Sequence, residues 1–339
     1  GEGPGVPAPS NRFVALDILK TVLVYGMVAA HLIQLASLRL PQGAAWFSGY
    51  IDLITFSGFM FAFGVGVGLP KPESAKPVGA RIWPALVMLG AVYVSSVGYV
   101  VLVARQPLAP VLTDLVTLRV LFGYSEFLAS FFVLYLVIAL ARPVFVGIGE
   151  TPRTLVAVSM LCLAGTLVTT GANIPLIGAV VGSTNYASFP LLAYLPWFLV
   201  GIHFGSTGRR PDWLDLLAGF AASAPLAYFL WRTGEMPQRF PPSLLWVIGP
   251  GFVLMIYWWL SRLLGRLWPQ AAFFLLAPGR HVLAALVISN LAVFGIRRQM
   301  FKPISSVPSL IMATAAIMAL VTVIGLLMDR FDTRRAGRS

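Results

Sequence analysis

The 339-residue chain is 58% hydrophobic and only 11% charged, with a mean hydropathy of +0.85. A soluble domain of this length needs far more charge to cover its surface, and a membrane barrel would alternate over segments of roughly ten residues; neither pattern is present. The net charge of +12 suits basic loops that set topology and meet anionic headgroups, so it is not a nucleic-acid signal.

Repeated apolar runs of about 20 residues, separated by short Pro/Gly/Arg loops, predict an all-α, polytopic integral membrane bundle. Residues 1–11, beginning "GEGPGVPAPS", lack the basic n-region of a signal peptide and read as a flexible leader or an expression remnant. Residues 12–329 read as one transmembrane domain of about ten helices. Their approximate spans are 13–38, 47–69, 80–103, 124–146, 153–173, 188–205, 213–231, 243–264, 281–297 and 308–328.

The connection 105–123 is long, and "VLTDLVTLRVLF" within it suits the membrane surface. "WPQAAFFLLAPG" (268–279) is apolar but short and Pro-bounded, as a re-entrant or interfacial segment would be. Loops on the N-terminal side of the ten-span arrangement hold roughly 16 of the Lys and Arg residues, against roughly 8 opposite. The basic tail 330–339 joins the richer side, so both termini are expected in the cytoplasm.

A single cysteine, Cys162, excludes a disulfide framework within the chain. Three histidines without a His/Glu cluster give no expectation of a metal site. "GVGVG" (64–68) closes a helix without a following Lys-Ser/Thr, so it reads as close helix packing rather than a phosphate loop.

The first span carries the unusual chemistry: Asp17, Lys20, His31 and Gln34 sit within "RFVALDILKTVLVYGMVAAHLIQLA". At about 100° per residue, Lys20 and His31 end roughly 20° apart, with Asp17 and Gln34 on the same side. Lipid-facing ionisable groups are costly, so such a stripe faces the bundle interior or a wet cavity. Two readings are open for it. Asp17 and Lys20 pair and His31 bonds a neighbouring helix, or the residues serve a function.

Arg12, then Leu-Asp-x-x-Lys, ten residues and His31 resemble the opening of the acyltransferase-3 family of transmembrane acyltransferases. The family has Arg where this chain has Lys20, which keeps the charge but loses a bidentate guanidinium. "GYIDLITFSGFMFAFGVGVG" (49–68) is similar to the family's second helix, with Asp52 at the acid position. "FPLLAYLPWFLVGIHFG" (189–205) and "LAPGRHVLAALVISNLAVF" (276–294) look closer to heparan-α-glucosaminide N-acetyltransferase-like proteins. In the latter stretch Ser289 stands where those proteins carry a histidine.

The resemblance implies transfer of an acyl group, acetyl foremost, from cytoplasmic acyl-CoA to a hydroxyl or amine of an extracytoplasmic carbohydrate or glycolipid. CoA phosphates would meet a basic inner mouth, for which Arg12, Lys20, Arg81, Arg209, Arg210 and Arg280 are candidates, with Asp17 beside them. His31 would act as general base or as a transient acyl carrier, and Asp52 would accept its far ring N–H. Glu126 and Gln34 lie at the same outer level and suit an acceptor sugar. His203 and His281 fall at the inner side and read as structural. A short chain without large lumenal insertions suits a bacterial inner membrane. A secondary transporter or translocator of a sugar or lipid-linked substrate is the rival reading, and a sensor or scaffold the third.

Overall fold

The computed structural model describes residues 11–38, 40–70, 78–168, 171, 174–268, 273–299 and 303–336, without the side chains of 11–13, 78, 273, 274, 333, 335 and 336. Within them the chain is helical, with two isolated β-bridges and no strand. Fourteen α-helices follow in order: α1 Asn11–His31, α2 Gln42–Gly68, α3 Val78–Tyr99, α4 Leu112–Val116, α5 Ser125–Glu150, α6 Pro152–Gly165 and α7 Ile177–Val181. Then come α8 Leu191–Thr207, α9 Trp213–Thr233, α10 Leu244–Ile248, α11 Gly251–Leu267, α12 Phe273–Arg280, α13 Val282–Gln299 and α14 Val307–Ala336.

Among the described residues, eight helices are long and apolar enough to cross a membrane. Each of the ten expected spans falls on one helix, save that 243–264 takes α10 and α11 together (Leu244–Leu267), but α6 and α8 have only 14 and 17 residues. At 1.5 Å per residue they reach roughly 21 and 25 Å, short of a hydrocarbon core of about 30 Å. The 268–279 segment holds the eight-residue α12, which is far too short to span. Within 105–123 only α4 and a preceding 3₁₀ turn are helical, and Leu115 and Leu118 are its buried anchors. The tail expected at 330–339 is not separate at its start, because α14 runs unbroken to Ala336. The leader, apart from Asn11, lies outside the described residues.

Burial divides the helices into a centre and a perimeter. α2 is buried along most of its length, whereas α6, α9 and α14 leave large apolar side chains such as Leu161, Trp231 and Ile311 exposed. An apolar perimeter around a packed centre is what a lipid solvent selects, since exposed Leu and Trp meet acyl chains there.

The α2–α8 contact rests on glycine. A Cβ at Gly64 would sit 2.0 Å from the Phe198 carbonyl oxygen, and one at Gly201 would sit 2.1 Å from that of Phe61. Gly68 and Gly205 repeat the approach one turn on, at 2.4 and 2.3 Å from backbone oxygens. Gly-x-x-x-Gly on both helices thus brings two backbones into direct contact, as the "GVGVG" stretch led one to expect.

Candidate functional site

His31 is the last residue of α1 proper, and the helix then widens into a π turn over Leu32–Ala36. Such turns recur at functional sites because they re-aim side chains. Gln34 lies within this turn. Its Nε2 donates to Ser48 Oγ and to Asp52 Oδ2, both at 2.8 Å. Asp52 Oδ2 also accepts from Arg239 Nη1 at 2.6 Å.

The His31 ring is 5% exposed and stacks on Tyr124, with centroids 3.5 Å apart and planes 5° from parallel. Its Nδ1 lies 3.0 Å from Asn290 Oδ1. A chain of donors fixes the direction of that bond. Ser95 Oγ donates its one hydrogen to the Gly123 carbonyl, so its oxygen is left to accept from Asn290 Nδ2, at 3.3 Å. The amide is thereby turned with Oδ1 towards His31, and an oxygen acceptor requires the proton on Nδ1. Nε2 then carries the lone pair, as a base must.

The expected partner of His31 is corrected by this geometry. Asp52 binds Gln34 and Arg239, and the ring is oriented by Asn290 from α13 instead. Asp52 still faces His31 across a cleft of about 20 Å³, whose walls include Glu126, Tyr124, Arg239 and Thr55. Glu126 stands in the first turn of α5, just after two left-handed residues, Gly123 (φ 50°) and Tyr124 (φ 63°). Among the described residues it forms no salt bridge.

The opposite ends of α1 and α14 hold a second polar cluster. Lys20 Nζ lies 2.9 Å from Asp17 Oδ1, the ion pair the spacing allowed. A Cβ at Gly279 would lie 2.0 Å from the Asp17 carbonyl oxygen, so α12 meets α1 backbone to backbone there. That approach delivers Arg280, which bridges Asp17 (3.7 Å) and Asp329 (3.1 Å), and His281, whose Nε2 is 2.9 Å from Asp329 Oδ1.

A groove of about 670 Å³ starts among Lys20, Arg280 and His281 and runs between α1, α2, α3, α5 and α13. Its walls are otherwise almost entirely apolar and it ends at Phe127, which also lines the His31 cleft. Arg81 lines neither space, Arg209 pairs with Asp215 in the first turn of α9, and the Arg12 side chain lies outside the described residues. His203 bonds the Gly149 carbonyl at 3.0 Å, a structural role as expected.

Arg239, Asn290, Ser95 and Tyr124 are the participants that sequence reasoning passed over. Arg239 offered one signal, a lone cation in the Pro-rich loop "MPQRFPPS". Asn290 offered another, since it follows Ser289, the position where a histidine is missing. Comparison with protein families, curated proteins and solved structures finds no match to this chain.

Proposed function

We propose that the chain is a membrane-embedded acyltransferase that moves an acyl group from acyl-CoA to a hydroxyl or amine of a carbohydrate or glycolipid. All ten long and medium helices cross the bilayer in this reading, with both termini and the Lys20 cluster on the cytoplasmic side. A bacterial inner membrane is the host. One observation carries the proposal: an apolar groove leads from a cationic mouth to the wall of a cleft holding a tautomer-fixed histidine.

CoA phosphates meet Lys20 and Arg280 at the mouth, and the pantetheine arm lies in the groove with its thioester towards His31. The acceptor enters the cleft beside Asp52, Glu126 and Arg239. Nε2 of His31 takes the acceptor proton as the oxygen or nitrogen lone pair forms its bond to the thioester carbon. The carbon–sulfur bond then breaks, and the leaving thiolate takes the proton back from the imidazolium, so the histidine ends as it began. Arg239 and Tyr124, both in the cleft wall, offer polar groups to the developing oxyanion.

Purified protein incubated with acetyl-CoA and a panel of glycans, followed by free-thiol detection, tests the reading. Wild type releases thiol in an acceptor-dependent way, His31→Ala does not, and Lys20→Ala raises KM for the donor without lowering kcat. Full turnover by His31→Ala sinks the mechanism. Counterflow of an unmodified sugar through proteoliposomes, without thiol release, would establish the transporter reading instead.

A further inference from the structure

The groove and the cleft do not join. The Phe127 side chain faces both, and its ring is packed between Phe56, a cleft residue, at 5.4 Å and Phe59, a groove residue, at 5.3 Å. Both contacts are edge-to-face, which fixes the ring against α2 where the two spaces meet. Along α1 the matching face passes from Leu16 and Lys20 in the groove to Met27 and His31 in the cleft. Between them, Leu23 and Val24 are buried in the core. The two spaces differ sharply in size, about 670 against about 20 Å³.

A donor lying in the groove therefore reaches His31 only past Phe127, into a cleft far smaller than the groove. We infer that Phe127 is the partition that selects the acyl group by length, admitting acetyl and turning back longer chains. The inference rests on the acyl-transfer reading for its substrate and on the packing of Phe127 for its location. Phe127 is a specificity-determining residue here and takes no part in proton transfer. Its position suits the role, because it sits in the first turn of α5, three residues after the left-handed Tyr124 that stacks on His31. The ring that bars the groove and the ring that covers the base thus belong to one turn of chain.

The first test is the ratio of kcat/KM for butyryl-CoA over acetyl-CoA, measured for wild type, Phe127→Leu and Phe127→Ala. A pocket discriminates by roughly 10- to 200-fold per methylene, so the ratio should rise by about ten-fold or more in Phe127→Ala and less in Phe127→Leu. An unchanged ratio in an active Phe127→Ala protein overturns the inference and leaves the acyltransferase reading standing.

The second test needs no turnover. In a Cys162→Ala background, Thr55→Cys places a thiol in the cleft wall. A long-chain alkyl maleimide delivered from the membrane should label Cys only when Phe127 is also shortened. A small water-soluble maleimide should label it regardless. Equal long-chain labelling with Phe127 intact refutes the partition, whatever the protein catalyses.

Discussion

Replacing Asn290 with alanine asks whether His31 acts through Nε2. Asn290 is 2% exposed and is the acceptor that holds the Nδ1 proton. Without it, either a buried N–H loses its partner at a cost of about 1–3 kcal/mol, or the proton moves to Nε2. In the second case the lone pair faces α13 and the base is lost to the cleft. A tautomer bias of about 1–3 kcal/mol corresponds to roughly 5- to 150-fold in population, and kcat for thiol release should fall by that factor. KM for the donor should hold, because the groove is untouched. Ser95→Ala removes only the group that turns the amide, so the expected loss is smaller, roughly five-fold for about 1 kcal/mol. Nitrogen-15 NMR of the imidazole gives a readout free of turnover: one Nδ1–H tautomer in wild type, a mixture in Asn290→Ala. An Asn290→Ala protein with full kcat and an unaltered tautomer would refute the donor-chain argument.

Arg239→Ala should leave Asp52 with Gln34 alone and strip a guanidinium from the faces of Phe189 and Phe240. With both charges partly solvated, a loss of about 1–3 kcal/mol in detergent melts is expected, and Arg239→Lys should recover only part of it. Gly201→Leu should force α8 off α2 and lower stability by about 3 kcal/mol or more; an unshifted melt would show that the backbones are not in contact. Backbone N–H donation from Asp215 holds the Asp212 carboxyl below its usual 3.8, with the Arg209 charge and the Leu214 N–H adding to it. A depressed folded-state value means that this cap stabilises above that pH and fails as pH falls through it, and Asp212→Ala should flatten that acid limb of the melting curve.

The class of fold was legible because hydropathy is a sum over many residues, and a lipid solvent demands long apolar runs. Individual contacts followed where spacing on a single helix decided them. Asp17 and Lys20 are three apart and do pair, and the glycines of 64–68 do bring helices together. The partner of His31 was a different matter. Asn290 is 259 positions away, and its approach depends on how α13 packs against α1 and α3. No periodicity within one span carries that information. The bonds of Gln34 were also beyond a helical wheel, which cannot anticipate the π turn that begins one residue after His31. The Pro-rich loop hid Arg239 because positive-inside counting treats a lone loop arginine as background.

The stripe on α1 is better described as two polar clusters separated by apolar packing, and the separation bears on function. A solute carrier gathers its polar ligands at a shared central site that both sides reach in turn. Here the charges stay at the two ends: Asp17, Lys20, Arg280 and Asp329 at one, and Asp52, Glu126 and Arg239 at the other. Between them lies a groove walled by residues such as Phe59, Phe131 and Met88, which would desolvate a sugar or an ion without replacing its hydrogen bonds. The same wall suits an extended arm carrying a small acyl group, whose charges remain at the mouth. Apolar packing between two charged ends favours moving an acyl group across the bilayer while both substrates' polar parts stay where they are.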